Sequence, residues 1–214
     1  MMGFTALVEA RRSVHDYADE PVDRDTIEAV VREATLAPSS YNLQPWEFLV
    51  VCEDRNRERL QEVAYGQPHV TDAPVAIALL GNRDPTAHVD RVLDDQVEKG
   101  YRDPDGAAST RESIERMAEQ AQSERRVWTA TSSSLAAMTL MFAARERGLA
   151  TCPMGGFDPD ALVSEFDVPE GYEPVMLLTM GYPAADATDE TLPRKFRRPV
   201  EEVTHFETFG DDER

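Results

Sequence analysis

The chain has 214 residues, of which 41% are hydrophobic, and a formal net charge of −19 at pH 7. This length supports one substantial hydrophobic core, and no apolar run reaches the roughly 18 residues of a membrane-spanning helix. Because 41 acidic residues outnumber 22 basic ones, the surface repels nucleic acid phosphates and anionic lipids. We therefore expect neither nucleic acid nor a membrane as a partner.

The acidic residues are spread along the whole chain, and Lys99 and Lys195 are the only lysines. A crowded acidic surface is tolerated at molar salt, where the screening length falls to about 3 Å. This composition indicates a halophilic protein, with an ordinary acidic protein as the alternative. The first residues lack the basic and then apolar order of a secretory signal, so we expect a cytoplasmic location.

The first part of the chain predicts two helices and a strand. After Thr5, a candidate N-cap, residues 6–12 form a short helix. Asp23 is a second candidate N-cap, and apolar residues at helical spacing predict a helix that ends before Pro38. Residues 47–52 are apolar and β-branched, which predicts a core strand.

The middle of the chain predicts a helix, a strand and a charged segment. Residues 54–64 have a helical pattern, and residues 75–80 form a second core strand. Between about 84 and 127 the chain is strongly charged, and weak helical stripes flank an expected loop at 103–109. We expect solvated helices in this variable segment.

The last part contains the best candidate for a central helix. Residues 130–148 are small, apolar and nearly uncharged until the last turn, as a helix packed on several sides requires, and Gly148 suits its C-terminal cap. Asp158 and Pro159 begin another helix, and residues 175–180 form a third core strand. Helices outnumber strands without a regular βαβ rhythm, so the predicted class is α+β.

The motifs of several enzyme classes are absent from the sequence. There is no GxGxxG after a strand and no GxxxxGK[ST], so the usual dinucleotide fold is not expected. The four histidines lack metal-ligand spacing, and no GxSxG elbow occurs. Cys52 and Cys152 belong to no CxxC cluster, and we expect both to be reduced and buried.

The first candidate site segment is ARRSVHDY, residues 10–17. Cationic and hydroxyl donors lie within one turn of the predicted helix end, on Arg11, Arg12, Ser13 and His15. Guanidinium groups bind a phosphate monoester through paired hydrogen bonds, and a hydroxyl adds another donor. The segment therefore predicts a phosphate site, with surface arginines that pair with acidic residues as the alternative.

The second candidate segment is LAPSSYNLQPWEFLV, residues 36–50, in which two prolines bracket a polar stretch. Loops that rise from a buried scaffold commonly contact ligands, although the same side chains can simply satisfy turn backbone. Both interpretations stay open from the residues alone. The polar candidates are Ser39, Ser40, Asn42 and Gln44.

The third candidate segment is LATCPMGGFDP, residues 149–159, which follows the predicted central helix. Gly155 and Gly156 let a backbone approach a flat ligand closely and aim its N–H groups at ring heteroatoms. Met154 precedes them and contributes a sulfur. A tight turn is the alternative interpretation.

The fourth candidate segment is RKFRRP, residues 194–199. It contains four of the chain's scarce cations, which are Arg194, Lys195, Arg197 and Arg198. Clustered cations in so acidic a chain need an anionic partner. That partner is either a phosphate or the acids of the neighbouring EEV segment.

Six segments, taken together, resemble the nitroreductase family of flavoproteins in order and spacing. They span about residues 8–206, with a thinner likeness between 84 and 127, and are ARRSVHDY, PVDRDTIEAVVREATLAPSSYNLQPWEFLVV, AYGQPHVTDAP, GLATCPMGGF, PEGYEPVMLLTMGYP and RKFRRPVEEV. The resemblance implies one domain over residues 1–214, with a mainly antiparallel sheet surrounded by helices. It also implies a homodimer whose subunits intertwine along the central helix.

The resemblance further implies one FMN in each of two clefts at the dimer interface. The residues implied to hold its phosphate, ribityl chain and pyrimidine edge are Arg11, Arg12, Ser13, His15, Lys195, Arg197 and Arg198. Those implied to reach the flavin from the other subunit are Pro38, Ser39, Ser40 and Asn42, with Gln44 close behind. Those implied along the isoalloxazine and its edge are Pro153, Met154, Gly155, Gly156, Gln67 and His69. His15 replaces a more usual Arg or Lys, which predicts a weaker or pH-sensitive pyrimidine contact.

A flavin carries out hydride and electron transfer itself, so the protein needs to supply binding and orientation rather than a catalytic residue. The resemblance implies a ping-pong oxidoreductase that takes electrons from NADH or NADPH. Nitroaromatics, quinones and free flavins are the implied acceptors. Two alternatives remain: specialised chemistry on the same fold, such as dehalogenation, dehydrogenation or flavin cleavage, and a flavin-binding module without turnover.

Overall fold

The computed structural model describes residues 2–209. A four-stranded antiparallel sheet lies at its centre, with the strand order β1-β2-β4-β3. The strands are β1 Trp46–Val51, β2 Val75–Asn82, β3 Ala150–Met154 and β4 Tyr172–Gly181. Helices pack around this sheet, which confirms the predicted α+β class and the three predicted strands.

Helices form most of the remaining structure. In chain order they are α1 Phe4–Ala10, α2 Arg24–Ala34, α3 Asp54–Val63, α4 His69–Asp72, α5 Val89–Glu98, α6 Pro104–Ala118, α7 Gln122–Glu146, α8 Pro159–Glu165, α9 Thr188–Thr191 and α10 Val200–Val203. A short 3₁₀ turn lies at Ser40–Asn42. Helix α7 is the central helix; it has 25 residues and contacts all four strands.

Strand β2 shows how the sheet separates two hydrophobic layers. Successive side chains of a strand point to opposite faces of the sheet. Val75, Ile77 and Leu79 accordingly pack in the layer under α2 and α7. Ala76, Ala78 and Leu80 pack in the layer under α3 and α8. Since both faces are covered, β2 is apolar from Val75 to Leu80.

The composition of α7 is explained by its packing. By length and composition alone this helix could cross a membrane, but its apolar window is 50% buried against the rest of the chain. It also approaches β2 so closely that a Cβ on Gly81 would lie 2.4 Å from Oγ1 of Thr129. Thr129 and Ser133 are both fully buried at this contact, so small side chains are required here.

The predicted helix ends at Asp23, Gly148 and Asp158 are confirmed. The carboxylate of Asp23 accepts a 2.8 Å hydrogen bond from the Thr26 amide, and Asp158 caps α8 in the same way. Gly148 has a φ of 78°, in the left-handed region that glycine adopts without a steric penalty. These caps set the ends of α2, α7 and α8.

Strand β3 was not predicted as a strand, because a proline and two glycines suggested a turn. Its residues pair with β4 from Ala150 to Met154, so Pro153 and Met154 belong to a strand rather than to a loop. Proline is tolerated there because β3 lies at the edge of the sheet, where the backbone groups on one side do not pair with a neighbouring strand.

Three helix predictions and one cysteine prediction were wrong in detail. The expected loop at 103–109 is the start of α6, where Asp103 accepts a hydrogen bond from the Gly106 amide and Pro104 occupies the first turn. Helix α1 begins at Phe4 with Gly3 as its N-cap, so Thr5 lies within it. Helix α7 begins eight residues before 130, because solvated charged residues extend its first turns. Cys152 is buried as predicted, whereas Cys52 is exposed just beyond β1.

Candidate functional site

A cationic cavity of about 140 Å³ lies between the two ends of the chain. Its walls come from the segment after α1 and from α9 with the segment that follows it. The lining residues are Arg11, Arg12, Ser13, Asp189, Leu192, Pro193, Arg194, Lys195 and Arg197. Five of the predicted phosphate contacts therefore lie around one cavity, although they are about 180 residues apart in sequence.

The surroundings of Arg11 suit an anion. Its Nη1 is buried and has no hydrogen-bond partner among the described residues. Burial lowers the pKa of Arg11, and the positive charges of Arg194 and Arg197 lower it further. A buried guanidinium nitrogen without a hydrogen-bond partner, close to other cations, is costly, so the arrangement favours a bound anion with several acceptor oxygens.

Arg194 and Arg198 have other partners. Nη2 of Arg194 donates to the carbonyl oxygens of Val8 and Glu9, at 2.9 and 2.6 Å, and so satisfies the C-terminal end of α1. Arg198 lies outside the cavity lining and pairs with Glu202, to whose carbonyl oxygen it donates at 2.6 Å. Arg198 therefore pairs with the neighbouring acid Glu202 and does not line the cavity.

His15 lies beside this cavity and is held by an acid that was not predicted from the sequence. The segment after Arg12 runs along β3, since Ser13 bridges to Thr151 and the Val14 amide donates to the Thr151 carbonyl. This places Nδ1 of His15 2.7 Å from a carboxylate oxygen of Asp189. The hydrogen bond from His15 lowers the pKa of Asp189.

Gln67 and His69 meet the segment at 154–156. Nε2 of Gln67 donates to the Gly156 carbonyl at 2.7 Å, and Nε2 of His69 lies 2.7 Å from Sδ of Met154. The rings of His15 and His69 meet edge to face, with centroids 4.9 Å apart. These predicted residues therefore form a continuous surface next to the cationic cavity.

The backbone at positions 155 and 156 does not form a tight turn that would require glycine. Neither has a positive φ. A Cβ on Gly155 would meet nothing within 4 Å, and one on Gly156 would meet only Gln67, at 3.5 Å. Both glycines are exposed, so the backbone at this point is open to a flat ligand.

The predicted loop at 38–44 is not part of this surface within the protomer. Asn42 and Gln44 line a different cavity, of about 440 Å³, together with Arg91 of α5 and His88, which immediately precedes that helix. Leu43, which is 2% exposed, anchors the loop in the hydrophobic cluster of α5 and α6. Ser39 accepts a 2.9 Å hydrogen bond from the Gln44 amide, so it supports the turn as well.

The loop at 38–44 also has an unusual backbone. Tyr41, Asn42 and Gln44 all have positive φ values, of 54°, 61° and 47°. Such conformations cost free energy for residues other than glycine, and clusters of them occur at active sites and ligand sites. The anchoring of Leu43 holds this conformation in place.

Two residues of the site were missed by sequence reasoning. Asp189 lines the cationic cavity and contacts His15, and Lys195 lies 3.7 Å from its other oxygen. Nothing in its local sequence distinguishes Asp189 from the many surface acids. Cys152 lies beneath His15, with Sγ 3.5 Å from Nε2. It could be predicted as buried, but not as a neighbour of His15.

The fold and the cavity together define an α+β protein with a cationic site between its chain ends. The family model of the nitroreductases matches residues 8–182, and the chain belongs to the nitroreductase family. It is 32% identical to the NADH dehydrogenase of Thermus thermophilus over 195 residues, which cover 90% of each chain. It is 33% identical to a Bacillus subtilis protein provisionally named NAD(P)H nitroreductase YodC, over 82% of this chain and 87% of that one.

A solved structure supports the same family. It is a provisionally named nitroreductase in complex with FMN, from Exiguobacterium sibiricum. The two chains are 30% identical, with a TM-score of 0.85, and the match covers 96% of this chain and 98% of the other. The resemblance seen in the sequence motifs therefore extends to the whole fold.

Proposed function

We propose that the chain is an FMN-dependent oxidoreductase that passes electrons from NADH or NADPH to a small acceptor by a ping-pong mechanism. Nitroaromatics, quinones and flavins are the acceptor classes. The observation that carries this proposal is the unpaired buried Nη1 of Arg11 inside a cavity lined by further cations. The names of the relatives and the FMN of the solved structure support it.

Each part of the site has a role in this proposal. Arg11, Arg12, Ser13, Lys195 and Arg197 bind the FMN phosphate through charge-assisted hydrogen bonds. His15 contacts the pyrimidine edge and is oriented by Asp189. The backbone at Gly155 and Gly156 leaves room for the isoalloxazine, with Met154, Gln67 and His69 beside it.

FMN supplies hydride and electron transfer when it is bound. The protein therefore binds and orients the cofactor, and it leaves one face open for donor and acceptor in turn. A separate dinucleotide-binding motif is not needed if the nicotinamide stacks briefly on the flavin and then leaves.

We further propose a cytoplasmic homodimer, formed by two copies of one FMN-binding domain. The loop at 38–44 completes the cleft of the partner, because in its own protomer it lines a different cavity. Large apolar side chains near the C-terminus are exposed in the protomer, among them Phe196, Phe206 and Phe209. Their burial against a second copy explains their presence in an otherwise acidic chain.

Visible spectroscopy of the full-length chain tests this function. We expect a yellow protein that bleaches when NADH or NADPH is added without oxygen and recovers its colour with a quinone or nitroaromatic. Colour that never bleaches indicates a flavin-binding module without turnover. Protein that stays colourless after incubation with FMN contradicts the proposal.

A pair of variants links the function to the cavity. Arg11→Gln removes the central charge, and we expect FMN affinity to fall by about 10- to 150-fold, the loss of one charged hydrogen bond of about 1.5–3 kcal/mol. Arg55→Gln is the matched control, because Arg55 is exposed on α3 outside the cavity. Equal FMN affinities for the two variants would place the phosphate elsewhere.

A further inference from the structure

The cavity of about 440 Å³ between α5 and the loop at 38–44 is separate from the cationic cavity at the chain ends. Its volume is in the range of about 300–1,000 Å³ that is usual for small-molecule sites. It adjoins a further cavity of about 580 Å³, with which it shares Asn42 and Lys99 as lining residues. The two cavities together can take a ligand longer than a single ring system.

The lining of the 440 Å³ cavity suits a nucleotide base. Leu43, Trp46 and Val92 are buried and give the cavity an apolar floor. Asn42 and Gln44 add two side-chain amides. Nε2 of Gln44 donates to the Asn42 carbonyl at 3.2 Å, which leaves the amide oxygen of Gln44 as an acceptor. Side-chain amides pair well with the donor and acceptor atoms at the edge of adenine.

One face of α5 brings cations to this cavity. Arg91, Asp95 and Lys99 are four residues apart, so they lie on the same side of the helix, and all three line the cavity. Asp94 and Glu98 line a different cavity, against α6. Two cations and one acid therefore line the cavity from this helix, in a chain whose net charge is −19.

Arg91 has no counter-ion on this face. Asp95 pairs with Lys99 instead, and one of its oxygens lies 2.6 Å from Nζ. Arg91 makes no hydrogen bond and no ion pair with another residue of the described range 2–209. Its side chain is exposed, so it can bind a ligand without first breaking another contact.

An arginine and a lysine beside an apolar floor suit a phosphate monoester on a nucleoside. A monoester carries a charge of about −2 at neutral pH and has three strong acceptor oxygens. A guanidinium binds two of these oxygens side by side, and an ammonium binds as a point charge. The two bridging phosphates of a dinucleotide are diesters with one charge each, and so attract such a pair less strongly.

The loop at 38–44 brings this cavity close to the proposed flavin cleft. The Gln44 amide donates to Oγ of Ser39 at 2.9 Å. The serines proposed to reach the partner's flavin and the amides that line the cavity therefore belong to one tight turn. A donor whose nicotinamide stacks on that flavin can extend its other end into the cavity.

We propose that the 440 Å³ cavity binds the adenosine 2′-phosphate end of NADPH, with Arg91 and Lys99 at the phosphate and the amides of Asn42 and Gln44 at the adenine. This inference rests on the proposed function and names its preferred donor. NADH lacks the 2′-phosphate, so it gains nothing from the two cations.

The first test is anaerobic reduction of the FMN-loaded, full-length chain by NADPH and by NADH at subsaturating concentrations, followed by the loss of flavin absorbance. We expect the wild type to react with NADPH at least about 10-fold more efficiently, as one charged hydrogen bond can supply. Arg91→Gln should lose most of this preference, and Arg91→Lys should keep part of it. Arg55→Gln is the matched control, because Arg55 is an exposed arginine on α3 outside the cavity.

The second test needs no turnover and so separates this inference from the proposed function. Calorimetry compares the binding of adenosine 2′,5′-bisphosphate and adenosine 5′-monophosphate to the full-length chain. We expect the bisphosphate to bind at least about 10-fold more tightly to the wild type and to Arg55→Gln, but not to Arg91→Gln. This result with a chain that no donor bleaches supports the site and contradicts the proposed function.

Circular dichroism checks that each variant is folded. The inference is overturned if the wild type uses both donors equally well or binds both adenosine phosphates equally. It is also overturned if folded Arg91→Gln keeps the preference for NADPH, or loses NADH and NADPH in the same proportion. A third contrary result is an unchanged donor preference in Arg91→Gln with a poorer use of FMN than of riboflavin as acceptor, since the phosphate would then belong to the acceptor.

Discussion

Gly155 is the residue at which ligand binding and folding can be separated most cleanly. A Cβ at this position would meet no atom of its own protomer within 4 Å apart from its chain neighbours, and its φ is not in the left-handed region. Bulk added there therefore leaves the fold intact and fills only the space assigned to the flavin. Few positions in a site offer this separation, because most binding residues also support the fold.

We predict that Gly155→Leu lowers FMN affinity at least about 10-fold, the equivalent of about 1.4 kcal/mol, with little change in melting temperature. Flavin fluorescence titration and thermal unfolding of the apoprotein measure the two effects. Gly66→Ala is the control: Gly66 has a positive φ of 75°, so this variant should lose stability. Unchanged FMN affinity in Gly155→Leu contradicts the assigned position of the ring.

The individual site residues could be predicted from the sequence only in part. The basic segments at 11–15 and 194–198 are evident as cation clusters, but local spacing cannot show that they share a cavity. Only the family resemblance indicated that the two segments contribute to one site. Asp189 escaped prediction because its contact with His15, far away in sequence, is a tertiary one, whereas the pairing of Arg198 with Glu202, four residues later, was one of the two predicted alternatives.

At the scale of elements, the contact between α7 and β2 sets the distance between helix and sheet. A Cβ on Gly81 would lie 2.4 Å from Oγ1 and 3.2 Å from Cγ2 of Thr129. We predict that Gly81→Ala destabilises the chain by about 1–3 kcal/mol, the usual cost of overpacking. Chemical denaturation measures the change.

Thr129→Ala provides the matched partner for that variant. Its hydroxyl is buried without a hydrogen-bond partner among the described residues, so its removal should cost little. The double variant Gly81→Ala with Thr129→Ala should recover most of the lost stability, as a double-mutant cycle would show. Simple additivity of the two changes would mean that the strain lies elsewhere.

A second pair of elements, α2 and the end of α7, is joined by Glu33 and Arg147. The hydrogen bond from Arg147 lowers the pKa of Glu33. A lowered folded-state pKa gives stability above the unfolded value, near pH 4.3, which is lost as the pH falls through the folded value. The Glu33 side chain is 45% exposed, so solvent weakens the ion pair, and we expect it to stabilise the fold by only about 0.2–1 kcal/mol at neutral pH.

We therefore predict that Glu33→Gln is less stable than the wild type at pH 7 and that this difference disappears in acid. Urea unfolding across pH 3–7 checks the trend. Glu28→Gln serves as the control, because Glu28 pairs with the highly exposed Arg24 on the surface. A difference that grows toward acid would reverse the sign and contradict the assignment.

The elements themselves were largely predictable, and the exceptions have physical causes. The three strands rich in β-branched and apolar residues show a clear pattern, whereas β3 carries Pro153, which only an edge position tolerates. The loop expected at 103–109 contains residues that also begin helices, since Asp103 and Pro104 act as N-cap and first-turn residue. The sequence pattern alone cannot show whether such residues form a loop or begin a helix.

At the scale of the whole molecule, the net charge of −19 is the dominant property. Like charges repel one another across the compact fold, and salt screens this repulsion. We predict that the melting temperature rises by several degrees between about 0.1 and about 2 M KCl. Differential scanning calorimetry measures it, with the same KCl series on a related protein of near-zero net charge as the control. A flat or falling curve would contradict a halophilic adaptation.

The cationic cavity has walls from both ends of the chain, and Arg194 is hydrogen bonded to the carbonyl of Val8, 186 residues earlier. During synthesis the ribosome releases residues 11–13, which form one wall of the cavity, long before residues 189–197, which form the other. A nascent chain therefore carries Arg11 and Arg12 without their counterpart until residues 189–197 have been synthesised. Cofactor loading has to wait for these residues, and chains truncated before residue 189 should accumulate without flavin however well their sheet has formed.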